Sequence, residues 1–426
     1  MKSAYFWTST VDWDKVNLSN PDPFDMFGKL KYKDDRWSML TNDYQGLMGQ
    51  VTGVTTTYGY SLIFGKTGDT EEYIAIVRFV YPGSPAEKAG IKRGDFIVSI
   101  DGKPITASNR LDLRNSPSIT IQKGILQDGS IVKDEASIKL TAKKMYEDPV
   151  NTYKVIEKKG KKTGYLCYTD YVTDSEEKLI EVFSEFKAQN VDEVVLDLRY
   201  NGGGTVQTAR LLCSILAPEQ NVRNKDVLLV QKWNSFYTNY WKQEGKDSND
   251  YFTDTVAVNL NLSRLFVLTS SGSASASEST ITGLSAYLNL VQIGDTTHGK
   301  YYGGYIMQAQ NWDRRKKEWV DDPSIENWGV YVMVYRFEGK NGIANPNTGL
   351  LPDIYVTEDY FNLYPFGDER DPLLAEALSQ ITGEAVQQEI KKVKSPPLPL
   401  RIEFLETDER KAGMVDIQTL PVTGQP

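Results

Sequence analysis

The chain has 426 residues, 40% of them hydrophobic and 25% charged, with a formal net charge of -9. That length exceeds one ordinary core and predicts two or three domains of a soluble, folded type. Acidic and basic residues are mixed along the chain, which excludes a basic stripe for nucleic acid. No apolar run approaches the roughly 18 residues needed to cross a bilayer. Cys167 and Cys213 sit among apolar or aromatic neighbours and read as buried free thiols, with no metal-ligand spacing.

Residues 1–49 are rich in Trp, Tyr, Asp and Asn and predict a short lead-in or cap. The start, Met1 to Trp7, lacks the apolar core of a signal peptide. Either the protein is cytoplasmic or the chain was cut after its targeting segment.

Residues 50–145 predict a β-rich unit. Tyr73 to Val80 and Phe96 to Ile100 have strand composition, Pro85 to Ala89 a short helix, and Ala136 to Lys143 the alternation of a half-buried strand.

From 146 to 385 strands and helices alternate. Ser175 is placed to cap a helix whose apolar face is Leu179, Val182, Phe183 and Phe186. Val194 to Leu198, Leu265 to Leu268 and Leu290 to Ile293 predict buried strands. The first is followed by Gly202-Gly203-Gly204, the second by a serine-rich turn and the third by Lys300. Sites gather at such strand ends in α/β folds. Val330 to Phe337 predicts a further strand. Residues 386–426 predict a tail, extended around Ser395 to Leu400.

The run Gly272-Ser273-Ala274-Ser275-Ala276-Ser277-Glu278 is the most specific feature. Small residues let a strand turn sharply into a helix, whose first amides are unpaired and able to bind an oxyanion. A Ser/Ala-rich turn with several capping serines and no chemistry would look the same. Lys300 follows Ser275 by 25 residues. To act as a base near pH 7 it needs a pKa about three units below its reference value, roughly 4 kcal/mol of burial. Asp295 nearby would oppose that shift, and a surface lysine is the plainer reading of the position alone. The one histidine, His298, has polar neighbours and reads as a solvated loop residue.

Together, Asp197-Leu198-Arg199-Tyr200-Asn201-Gly202-Gly203-Gly204, the serine run, Gly299-Lys300 and Gly349-Leu350-Leu351-Pro352-Asp353 resemble the carboxyl-terminal processing (tail-specific) serine peptidases, family S41. The resemblance covers about residues 150–380. It implies Ser275 as nucleophile, Lys300 as general base, and the amides of Ala276 and of the Gly203 region as oxyanion hole. It implies an α/β catalytic core of repeated β-β-α units, ClpP/crotonase-like, with no metal and no cofactor. Many members carry a glutamine four residues after the lysine. Here that residue is Gly304, and Gln308 is the candidate substitute.

Gly83-Ser84-Pro85-Ala86, Gly94-Asp95 and Ile100-Asp101-Gly102 resemble a PDZ domain, with Tyr60, Ser61, Leu62 and Ile63 at the peptide-binding strand. Asp34 to Ser38 resembles the short stretch preceding that domain in these peptidases. The resemblance implies an endopeptidase acting on protein or peptide substrates outside the cytoplasm, in the periplasm or cell envelope. A removed N-terminal segment would then account for membrane association. The rival is a weakly active or inactive peptide-binding protein on the same scaffold. Oligomeric state is not legible in the sequence.

Overall fold

The structure is a computed structural model. It describes residues 2–386 except 17–18, 67–69, 128–129, 314, 317 and 345, together with two short strands at 404–405 and 415–416. The remainder of the expected tail, including its proline-rich stretch, lies outside the described residues.

The chain forms a mixed α/β, multidomain protein. In the larger α/β core, strands Val150–Lys158, Lys161–Tyr168, Glu193–Asp197, Arg264–Thr269, Asn289–Gly294 and Ile354–Tyr355 make one sheet in that order. The first pair is antiparallel and all later pairs are parallel. Both faces are covered, so the strands read as unbroken apolar runs. Val194 and Leu196 face the helices Glu176–Ala188, Val206–Leu216 and Ala276–Leu284, while Val195 faces the helix Pro372–Thr382. Leu179, Val182, Phe183 and Phe186 are all buried on one helix face, each contributing about 1.5–3 kcal/mol of apolar burial. The expected Ser175 side-chain cap is not formed. Its hydroxyl bonds the Val172 carbonyl and the Tyr168 hydroxyl instead, because a short 3₁₀ turn, Thr173–Ser175, leads into the helix.

A second sheet carries Val227–Trp233, Gly329–Gly339, Tyr302–Gln308 and, at its end, Val415–Asp416. The N-terminal segment is woven into it. Met39–Thr41 pairs with Gly329–Gly339, Met39 opposite Tyr331, and the Phe6 amide donates to the Met333 carbonyl. This sheet matters for the site because Tyr302–Gln308 begins two residues after Lys300.

The β-rich unit is a separate sheet with its own core, including Leu62, Phe64, Val77, Ile97 and Ile121. Its edge strand Tyr60–Lys66 pairs with Glu72–Val80 on one side. On the other, Gly65 and Phe64 pair antiparallel with Phe404–Leu405. Among the described residues no helix is long and apolar enough to cross a membrane.

Candidate active site

Three neighbouring parallel strands end at the same edge of the core sheet, and each delivers one part of the site. Glu193–Asp197 runs into the glycine loop. Gly203 and Gly204 have φ of +111° and +137°, a region open to glycine. A Cβ at Gly203 would lie 2.9 Å from the Ser275 Cβ and 3.0 Å from the Ala276 nitrogen, and one at Gly204 2.1 Å from the Tyr171 carbonyl oxygen. The loop therefore lies directly against the serine turn.

Arg264–Thr269 delivers that turn. The flanking serines are its stitches: Ser273 Oγ donates to the Leu198 carbonyl at 2.7 Å and Ser277 Oγ to the Asn201 carbonyl at 2.9 Å. Ser279 Oγ donates to the Ala276 carbonyl. Ser275 differs from all three. Its backbone is at φ 60°, ψ -105°, a strained conformation for an L-residue of the kind found at functional turns. Ala276 opens the helix, so its N–H has no intrahelical partner. The Gly203 N–H donates to Asn201 Oδ1 at 2.9 Å in this conformation.

Asn289–Gly294 leads to the lysine loop. Lys300 is 3% exposed. Burial brings its pKa down to about 7, against the opposing pull of the Asp35 and Glu278 carboxylates. Asp295, the neighbour expected to interfere, takes no part in this; its carboxylate accepts the Thr296 amide. Tyr331 lies beneath the amine, with Lys300 Nζ 5.2 Å from the ring centroid.

Glu278 ties the two loops together. Its Oε2 accepts the backbone amides of Ser275 and Lys300, each at 2.8 Å. Its Oε1 accepts the Gly299 amide at 2.8 Å and the Thr297 hydroxyl at 2.6 Å. Burial pushes this carboxyl up, and the four donors oppose the shift. Nothing in the sequence alone gave Glu278 this task, although the motif contains it.

Gln308 is not brought to the lysine. It ends the strand Tyr302–Gln308, about 20 Å along from its start by strand rise, and its Nε2 donates to the Glu326 carbonyl at 2.7 Å. His298 is exposed, and its backbone amide donates to the Ser273 carbonyl.

Beneath the glycine loop lies a buried charge cluster that sequence reading missed. Arg199 bonds Asp197 at 2.7 Å, Glu358 at 2.8 Å and Asp371 at 2.9 Å. Burial pushes the Asp197 carboxyl up, but the Arg199 guanidinium overcomes this and holds it below its ordinary value. Arg93, from the β-rich unit, bonds Glu358 at 2.5 Å and the Tyr200 hydroxyl at 2.9 Å. The two domains thus meet at the residue before Asn201.

In the β-rich unit Tyr60, Ser61, Leu62 and Ile63 are all buried. Ser61 Oγ accepts the Arg78 guanidinium, and Ile63 packs with Phe96 near Phe361 and Leu363. Tyr60, Ser61, Phe79, Arg114, Glu147 and Asp170 line a small cavity where the two domains meet. Among the described residues no group of His, Cys, Asp and Glu has the arrangement of a metal site.

A serine at a strained strand-to-helix turn, beside a buried lysine at the next strand end, belongs to the serine-hydrolase class of α/β proteins. Residues 162–356 match the model for peptidase family S41, and residues 76–115 match a PDZ domain model. The chain thus contains a peptidase family S41 region, residues 162–356, and a PDZ domain region, residues 76–115.

Its relatives agree. A carboxyl-terminal-processing protease of Picosynechococcus is 24% identical over 85% of this chain and 80% of its own length. The carboxy-terminal processing protease CtpB of Bacillus subtilis is 25% identical over 78% of this chain and 66% of its own length. The chloroplastic C-terminal processing peptidase of Tetradesmus obliquus is 27% identical over 73% of this chain and 61% of its own length. Among solved structures, an S41 protease from Bacteroides fragilis superposes with a TM-score of 0.71 at 24% identity, covering 90% of this chain and 96% of that one. The photosystem II D1 C-terminal processing protease gives 0.50 at 22% identity, covering 88% and 95%. At these identities the structural likeness speaks for the fold.

Proposed function

We propose that the chain is a serine endopeptidase that cleaves proteins by a Ser-Lys mechanism, with its PDZ domain recognising chain ends. The observation that carries this reading is the Glu278 carboxylate, which holds the backbones of Ser275 and Lys300 to one group in a buried pocket.

Neutral Lys300 takes the proton of the Ser275 hydroxyl as Oγ attacks the substrate carbonyl. The negative charge that develops on the carbonyl oxygen meets the Ala276 amide, with Gly203 as second donor once its N–H is exchanged from Asn201. The tetrahedral adduct collapses, the peptide C–N bond breaks, and the lysine ammonium gives its proton to the leaving amine. Water, deprotonated by Lys300, then hydrolyses the acyl-enzyme and restores Ser275.

The PDZ part of the reading rests on the edge of Tyr60–Lys66. Phe404–Leu405 already pairs there, so the edge accepts an added strand, which is how PDZ domains take peptides. An extracytoplasmic site of action belongs to the same proposal and rests on the sequence resemblance.

A reactive-serine probe tests the chemistry. Labelling and cleavage of an unfolded protein are expected in the wild type and lost in both Ser275→Ala and Lys300→Ala. Cleavage should rise through a pH of about 7, as Lys300 gives up its proton. Full activity in Lys300→Ala, with loss in His298→Ala, would overturn the assignment.

A further inference from the structure

We infer that Asp35 and Tyr331 stand in for the side chain that Gly304 lacks, and that together they position Lys300 for proton transfer. This rests on the Ser-Lys reading above and answers what that reading leaves open, namely what orients the amine.

There is no room at position 304 for an orienting side chain. A Cβ there would lie 2.6 Å from the Tyr331 Cε2, 2.6 Å from the Met333 Cε and 2.7 Å from the Val332 carbonyl oxygen. The strand Tyr302–Gln308 shifts register between Gly303 and Gly304, which sets Gly304 opposite Met333. Aromatic side-chain volume has filled the place, and the face of that same Tyr331 ring lies 5.2 Å from the Lys300 amine. A ring face favours the ammonium form, more so when both groups are desolvated.

Asp35 supplies the charge. It is 4% exposed. Its Oδ1 accepts the amides of Trp37 and Ser38 at 3.0 and 2.9 Å, and its Oδ2 accepts the Tyr5 hydroxyl at 2.8 Å. These partners are all neutral. They also bind the carboxylate to the strand that holds Tyr331. Ser38 Oγ accepts the Met333 amide at 3.0 Å, and Met39 pairs with Tyr331. The Tyr5 hydroxyl in turn accepts the Tyr32 amide at 2.8 Å. The segment Asp34 to Ser38, which the sequence singles out without a task, thereby becomes one wall of the lysine pocket.

Among the groups that bear on the amine are Asp35 and Glu278 as carboxylates and Tyr331 as a ring. Glu278 spends its oxygens on four donors in the two loops. Asp35 remains as the carboxylate tied, through Ser38 and Met39, to the strand that carries Tyr331. Burial alone would leave Lys300 a weak base. A carboxylate in the same pocket stabilises the ammonium formed when Lys300 takes the serine proton. Asp35 and Tyr331 are positioning residues in this account and do not touch the substrate.

The test uses full-length Asp35→Asn, Tyr331→Phe and Tyr331→Leu, with kcat and KM for an unfolded-protein substrate followed across pH. Asp35→Asn keeps an oxygen for the Trp37 and Ser38 amides. It is expected to lower plateau kcat by ~10-fold at unchanged KM and to move the acid limb down by about one pH unit. Tyr331→Phe keeps the ring face and should stay within about twofold of wild type, whereas Tyr331→Leu should lose ~10-fold in kcat. An Asp35→Asn variant that loses activity equally at every pH, with its acid limb unmoved, would show a purely structural role and sink the inference. So would a fully active Tyr331→Leu. An acid limb that persists in Lys300→Ala would instead strike down the Ser-Lys reading itself.

Discussion

The proposed nucleophile and the proposed base occupy adjoining strand ends, yet they are built in opposite ways. Ser275 is held by its own neighbourhood: Ser273 and Ser277 stitch the turn to Leu198 and Asn201, and Glu278 caps it from three residues on. The Lys300 amine instead feels residues from far along the chain, the Asp35 carboxylate of the N-terminal segment and the Tyr331 ring of the second sheet. A nucleophile needs a hydroxyl beside unpaired backbone amides, which a short motif can encode. A lysine base needs desolvation, which only tertiary packing supplies.

The largest expected effect probes the base side through stability. Lys300 has a folded pKa of about 7 against an unfolded value near 10.5, a gap worth roughly 5 kcal/mol. The folded pKa is depressed for a cation, so the native state binds fewer protons than the unfolded chain between those values. Stability from this group therefore rises as pH increases from about 7 to about 10 and is lowest below 7. Lys300→Met removes the term. It should raise the thermal midpoint markedly at pH 6 and little at pH 10, each compared with wild type at that pH. Equal changes at both pH values would mean that the lysine is not desolvated in solution.

Glu278→Gln breaks both sides at once. The amide retains one acceptor for the four donors and turns its own N–H₂ toward backbone N–H groups. Serine and lysine should lose their mutual placement, and kcat should fall by ~10²-fold or more, with a lower thermal midpoint. If serine labelling and kcat were unchanged, the carboxylate bridge would have no part in holding the site.

The same contrast explains what was legible beforehand. The core strands ending in Asp197, Thr269 and Gly294 were visible because both their faces are buried, and the Ser275 turn because its small residues are contiguous. The lysine's surroundings were not visible. Asp35 lies 265 positions before Lys300, and Tyr331 reads as one more residue of an apolar strand. Gln308 was a natural substitute by spacing, but a strand carries it away from the site. Asp295 is near in sequence yet bonds its own loop, while distant carboxylates set the lysine's field. The Arg199 cluster stayed hidden for the same reason, since Glu358 and Asp371 come from the far end of the peptidase domain.

Gly203→Ala sharpens the nucleophile side with the smallest expected effect. The added methyl group meets two obstacles, a φ of +111° that L-residues rarely adopt and a Cβ position 2.9 Å from the Ser275 Cβ. Relief requires the loop to retreat from the Ala276 amide, where the oxyanion would sit. The PDZ edge and the Lys300 pocket are untouched, so KM and the acid limb should hold while kcat falls roughly 10- to 100-fold. A shift of the acid limb in this variant would show that the two halves of the site are coupled beyond the Glu278 bridge. An unchanged kcat would remove the glycine loop from the oxyanion hole and leave Ala276 as its donor.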